Sequence, residues 1–299
     1  MSKVVSILEK PRDIYEINSV ASRYKSKKVL IYIYDQANYK FQNLKNYILE
    51  KKIQNINYKI INLKNINQLE YKWEKITNDY NIFVFPFQSH FFLCKKIRYL
   101  KKLDKKVVLL SNGTVDCLKI YELILSSNRV IDLLKNLFKF FYYKLVFPVD
   151  FCSYVLFPLK VSLAKKTYKV DDIKLSNSKF KQILINKRID TLFVGSGKYP
   201  DKKTLEYYKI KNYCYTSKYL IKKKIALVNG SPIKLKNLVI SEEILNLKNI
   251  KNCIGILSTS TFYALLKKKN VSIIDTEFLE GNFFYKLFLK LKFNRIKKI

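Results

Sequence analysis

The sequence predicts an α/β protein of two domains, each a parallel sheet with helices on both faces. Three observations predict it. A chain of 299 residues exceeds the usual size of a single hydrophobic core. With 48% apolar and 27% charged residues it is too apolar to stay disordered. Short apolar runs alternate along it with segments of helical period, the pattern of a parallel sheet covered on both sides.

The alternation starts after a polar lead-in. Residues 27–34 (KKVLIYIY) are an apolar run of strand length, and residues 38–52 place Phe41, Leu44, Tyr47 and Ile48 on one helical face. The step repeats with 57–63 (NYKIINL) as strand and 67–80 as helix, then 81–87 (NIFVFPF) as strand and 91–103 as helix. Residues 105–114 (KKVVLLSNGT) follow as a strand running into a turn. Between Leu123 and Val161 the chain becomes rich in aromatic and aliphatic residues, broken by Pro148 and Pro158. Lys135, Lys139, Lys144 and Asp150 interrupt it before any window of membrane-spanning length forms. The pattern resumes with 175–188 as helix, 189–195 (IDTLFVG) as strand, 202–211 as helix and 223–230 (KKIALVNG) as strand. A short helix at 241–247, a strand at 253–257 (CIGIL), a helix at 260–269 and a strand at 271–275 complete it. The expected division is an N-terminal domain over 1–150, a linker over 151–175 and a C-terminal domain over 176–299. The last of these closes with a basic helix in which Phe284, Leu287, Phe288 and Leu291 share a face.

Fifty-eight Lys and Arg against 23 acids give a net charge of +35, which favours anionic partners: phosphorylated substrates, anionic lipid or nucleic acid. The excess is mostly Lys, spread evenly and accompanied by Ile, Asn and Tyr, so part of it reads as codon bias. No nucleic-acid-binding module is legible, and nucleic acid is not the expected partner. Five cysteines without a CxxC pair read as buried thiols in a reducing compartment, and no secretory leader is read at the start. The expectation is a soluble cytoplasmic protein whose basic C-terminal segment either lies on the inner face of the plasma membrane or packs back across the two domains as core.

Parallel sheets bind ligands at the carboxyl ends of their strands, so the strand-to-helix turns carry the candidate residues. Ser258, Thr259, Ser260 and Thr261 form one such turn, where free N–H groups and hydroxyls can close on a phosphate; a single helix cap is the plainer alternative. Gly195, Ser196 and Gly197 form a second, which lacks the full spacing of a phosphate-binding glycine loop. Asn229–Pro232 and Ser111–Thr114 are the third and fourth. His90 reads as a packing residue. Among the acids near strand ends (Asp35, Asp116, Asp201, Glu242, Glu243), Asp116 is the leading candidate for a proton acceptor.

With these turns in hand, the sequence resembles the bacterial sialyltransferases of glycosyltransferase family 52 and their polysialyltransferase relatives. The resemblance rests on the order of SNGT, NGSP and GILSTSTFYALL along the chain. It implies a GT-B architecture, two Rossmann-like domains with parallel sheets facing a central cleft, and a nucleotide-sugar donor, CMP-sialic acid or a similar compound. The implied acceptor is a glycan or glycolipid of the bacterial surface such as lipooligosaccharide or capsule. Transfer in such families needs no metal or other cofactor. By the same resemblance Ser258, Thr259 and Ser260 bind the donor phosphate, with Gly195, Ser196, Gly197 and Pro232 also on the donor side. Ser231 stands where the family has a catalytic histidine, and Asn112, Gly113 and Thr114 lie on the acceptor side. Ser111 and Asn112 occupy the positions of the family's two carboxylates, so a catalytically inactive relative that binds nucleotide-sugar or glycan is the alternative reading.

Overall fold

The computed structural model describes residues 2–34, 39–86, 91–110, 130–141, 150–153, 167–170, 173–195, 205–206, 209–256, 258–275 and 294–297. The chain divides into two compact units, Met1–Asp172 and Ile173–Ile299.

The first unit is a seven-stranded parallel sheet in the order β3-β2-β1-β4-β5-β6-β7. Its strands are β1 (Lys3–Leu8), β2 (Lys28–Tyr34), β3 (Asn57–Leu63), β4 (Ile82–Pro86), β5 (Lys106–Leu110), β6 (Asp150–Ser153) and β7 (Thr167–Lys169). Helices α1 (Asp13–Arg23), α2 (Phe41–Lys51), α3 (Trp73–Asp79), α4 (Phe91–Lys102) and α5 (Val130–Phe141) accompany it, with a 3-10 helix over Ile66–Lys72. The central strand β1 belongs to the segment expected to be a polar lead-in. It is buried from Val4 to Leu8, as a strand covered on both faces must be. On one face of the sheet Val5, Ile7, Tyr32, Phe83, Phe85, Val107 and Leu109 pack beneath Leu69, Trp73, Ile76, Ile97 and Leu100. The Trp73 ring lies 5.8 Å from Phe83 and 6.3 Å from Phe85 between centroids.

Strands β6 and β7 fall where a linker was expected, and a polar cluster at the amino ends of the strands explains why they join the sheet. Asp150 is 2% exposed; it accepts a 2.6 Å hydrogen bond from the Tyr168 hydroxyl and pairs with Lys106. The Tyr168 hydroxyl is also 3.3 Å from that of Tyr24, and the Arg23 guanidinium sits 4.1 Å above the Tyr168 ring. One carboxylate therefore ties β5, β6, β7 and the end of α1 together. Asp150→Ala is expected to lower unfolding stability by about 2–4 kcal/mol, because it strands a buried phenol and removes the anion opposite Lys106. Urea denaturation checks this, with Asp150→Asn expected to lose less.

The second unit has a seven-stranded sheet in the order β11-β10-β9-β8-β12-β13-β14. The strands are β8 (Thr191–Gly195), β9 (Tyr213–Ser217), β10 (Ile225–Val228), β11 (Ser231–Lys234), β12 (Asn252–Gly255), β13 (Asn270–Asp275) and β14 (Asn294–Lys297). All neighbours are parallel except the β9-β10 and β10-β11 pairs. The helices are α6 (Ser178–Asn186), α7 (Lys218–Lys222), α8 (Ser241–Leu245) and α9 (Thr259–Leu266).

Two expectations change here. Asn229 and Gly230 have φ of 50° and 84°, the left-handed pair of a tight hairpin turn, so NGSP joins two antiparallel strands rather than a strand to a helix. In the C-terminal segment Asn294–Lys297 is a strand paired to β13, so the expected helix does not reach these residues; residues 276–293 lie outside those described. Among the described residues, no helix is long and apolar enough to cross a membrane.

Candidate functional site

Each sheet has a topological switch point, where successive connections leave to opposite sides and open a crevice beyond the carboxyl ends of two adjacent strands. In the second unit this point lies between β8 and β12. Strand β8 ends at Gly195 and β12 at Gly255, and the register pairs Gly255 with Val194. A Cβ on Gly255 would fall far inside contact distance of the Val194 carbonyl oxygen and 3.1 Å from its carbonyl carbon. Only glycine permits this approach. The GSG and STST turns, far apart in sequence, thus leave from neighbouring strand ends; Ser196 and Gly197 themselves lie outside the described residues.

Helix α9 begins at the same point. Ser258 is its N-cap, accepting from the Thr261 N–H at 3.4 Å, while Thr261 Oγ1 accepts from the Ser258 N–H at 3.0 Å. Thr261 is fully buried and also donates to the Ser258 carbonyl at 2.8 Å. Ser260 Oγ donates to Glu242 Oε1 at 2.9 Å. Three of the four hydroxyls therefore have partners inside the fold, whereas that of Thr259 has none among the described residues. Ser258 and Thr261 shape the helix end, and the half-buried Thr259 lies on its first turn, where backbone N–H groups have no helical partner.

Glu242 and Glu243, both buried, open α8. Glu243 Oε2 accepts from the Ile240 N–H at 2.9 Å and closes the first turn of α8, while Glu242 holds Ser260 and ties α8 to the start of α9. Thr216, at the end of β9, bonds Ser241 at 2.9 Å and ties α8 to the same edge. Ser231 and Pro232 do not join this group. Strand β10 runs antiparallel to β9, so its hairpin turn lies at the amino end of β9, where Asn229 bonds Tyr213, at the edge of the sheet away from the crevice. The reversal sets Ser231, expected as catalytic, and Pro232, expected on the donor side, at the opposite ends of the strands from the STST turn. Asn112, Gly113, Thr114 and Asp116, with His90, Asp35 and Asp201, lie outside the described residues.

In the first unit the switch point lies between β1 and β4, and the turn that leaves β1 carries a carboxylate that sequence reasoning missed. Glu9 follows the last residue of β1. Its Oε1 is buried and makes no hydrogen bond among the described residues. Burial above all, and then the neighbouring charge of Asp13, pushes the Glu9 carboxyl up to about 7. Asp13, at the start of α1 and 3% exposed, accepts from the N–H groups of Glu9 at 3.0 Å and Lys10 at 2.8 Å. It thereby fixes the turn on which Glu9 sits, and burial raises its own carboxyl as well. An acid immediately after VVSIL was the available signal, since it places a carboxylate at a strand's carboxyl end.

The described cysteines, Cys152, Cys214 and Cys253, are buried; burial pushes the Cys214 thiol up to about 12, which leaves no reactive thiolate near neutral pH. Among the described residues no three His, Cys, Asp or Glu side chains gather as metal ligands.

No protein-family model matches the sequence, and no curated protein matches it. Solved structures do. The α/β-galactoside α-2,3-sialyltransferase of the luminous marine bacterium Photobacterium phosphoreum superposes with a TM-score of 0.55 at 12% identity, over 96% of this chain and 95% of that one. A UDP-glucosyltransferase from Polygonum tinctorium that glucosylates indoxyl gives 0.52 at 10% identity, over 91% of this chain and 80% of that one. The apo form of UGT2 from Phytolacca americana gives 0.51 at 10% identity, over 91% and 81%. The fold is of the GT-B type, two Rossmann-like α/β units, the first sheet parallel and the second parallel apart from its β9-β10-β11 edge.

Proposed function

We propose that the chain is a nucleotide-sugar-dependent glycosyltransferase that holds the donor phosphate at the switch point of its second unit. The observation that carries this reading is the β8/β12 crevice. Gly255 brings two strand ends unusually close, and α9 starts there with free N–H groups and the uncommitted hydroxyl of Thr259. A helix N-terminus stabilises the negative charge that grows on a departing phosphate.

In the proposed reaction the acceptor hydroxyl oxygen bonds to the anomeric carbon as the bond from that carbon to the donor phosphate oxygen breaks. The acceptor proton passes to a general base of the protein, and the nucleotide leaves as an anion. Attack opposite the leaving group inverts the anomeric centre. The donor proposed is CMP-sialic acid, supported by the resemblance of the STST turn and by the near-complete overlap with a sialyltransferase fold. The proposed acceptor is a bacterial surface glycan such as lipooligosaccharide or capsule, and the proposed transfer is metal-independent.

A thermal-shift screen of CMP, UDP, GDP and their sugars tests the reading. A true donor at about 100 times its dissociation constant adds about 2.7 kcal/mol of stability. Thr259→Ala is expected to weaken that ligand at least about tenfold without moving the melting temperature of the free protein, as loss of one hydrogen bond to a charged group does. Ser258→Ala is expected to cost about 1 kcal/mol of stability, as N-cap removal does. No stabilisation by any nucleotide would reject the proposal. The residues Ser111 and Asn112, at the positions of the family's carboxylates, favour the inactive-relative reading, and donor binding with neither transfer nor hydrolysis would establish it.

A further inference from the structure

Helix α5 (Val130–Phe141) presents an apolar face outward. Val130 is 72% exposed, Ile131 63%, Leu134 60% and Phe138 65%, and no other described helix exposes so many large apolar side chains. At about 100° per residue these four positions fall within an arc of about 100°. Asp132, Lys135, Asn136 and Lys139 occupy the opposite arc of the wheel, and the Lys135 side chain is exposed. The helix is long enough for about three turns, roughly 18 Å.

We infer that α5 docks the protein on an anionic lipid bilayer, lying in the interface with Ile131, Leu134 and Phe138 among the acyl chains. Charge selects a bilayer over a second copy. The chain carries a net charge of +35, so a second copy is repelled and an anionic surface attracts, with each Lys or Arg near the surface contributing. Apolar side chains on about three turns of helix are what an interfacial helix inserts. The basic C-terminal segment, expected to lie on the membrane, falls mostly outside the described residues, and α5 is proposed on its own observations. Docking by α5 does not rest on the glycosyl-transfer reading, since its readout is lipid binding.

The test is flotation of the full chain with vesicles of phosphatidylcholine alone, or of phosphatidylcholine with about one third phosphatidylglycerol, an anionic headgroup. The wild type is expected to float with the anionic vesicles and not with the neutral ones. The triple variant Ile131→Gln, Leu134→Gln and Phe138→Gln keeps the net charge, so adsorption by charge alone is unchanged in it. Its binding is nevertheless expected to fall at least about tenfold, with melting temperature and circular dichroism unchanged. Should the triple variant fold poorly, the single variant Phe138→Trp reads the same contact. Its emission should shift to the blue and be quenched by brominated acyl chains, while Trp73, 6% exposed in the core, gives a constant background. Undiminished binding by the triple variant, an unshifted Phe138→Trp spectrum on bound protein, or a stable dimer lost in the triple variant would each overturn the inference.

Discussion

Replacing Glu9 by glutamine is expected to make the protein more stable at pH 8. The effect comes from one buried carboxyl. Its folded-state value is raised from 4.5 to about 7, so the folded protein favours the protonated form. The stability this group contributes is fully present below about 4.5 and is lost as pH rises through about 7. Glutamine resembles the protonated form at every pH. The stability gap between variant and wild type should therefore open between these two values and level off above 7, reaching about 1–3 kcal/mol once partial solvent exposure is allowed for. Urea denaturation at several pH values measures the gap. A flat stability gap would show that the carboxyl is not perturbed.

The fold was legible where one physical signal dominated. Strands such as β2, β4 and β5 are continuous apolar runs because both faces of a parallel sheet are buried, and the segments between them carry a clear helical period. Strand β1 escaped because its six residues are split by Ser6, and Glu9, Lys10 and Pro11 follow at once. Its burial is imposed by neighbours that lie far along the chain. Strands β6 and β7 have four and three residues, too few for any period, and are held by the Asp150 cluster, which no local pattern foretells. Strand β9 (YCYTS) carries aromatic and hydroxyl groups instead of aliphatic ones. The Asn-Gly pair at 229–230 is itself a hairpin signal, since both residues adopt positive φ readily. The candidate site divides the same way. The letters of the STST turn announced a helix start, but which hydroxyl stays free depends on Glu242, 18 residues upstream of Ser260. The importance of Glu9 rests on a burial that only the assembled sheet produces.

Replacing Gly255 by alanine is expected to be the most damaging single change in the second unit. A methyl group there would meet the Val194 carbonyl, which is backbone and has no rotamer to move into. The strands β8 and β12 must then separate at their carboxyl ends, weakening the pairing of Gly255 with Val194 in the middle of the sheet. Overpacking against a side chain costs about 1–3 kcal/mol, and a clash with a hydrogen-bonded backbone belongs at or above the top of that range. The expected loss is about 3 kcal/mol or more, seen as a lower urea midpoint. Donor binding should fall with it, because the displaced strand end carries the start of α9 and the N–H groups proposed to meet the phosphate. A comparison with Ser258→Ala separates the two consequences. The cap variant loses about 1 kcal/mol of stability but leaves the strands together, so at temperatures where both variants are folded it should retain far more affinity than Gly255→Ala. Equal affinity in the two variants would mean that the close approach of β8 and β12 serves packing alone. An unchanged urea midpoint in Gly255→Ala would mean that the sheet can absorb the methyl group by a shift that costs little.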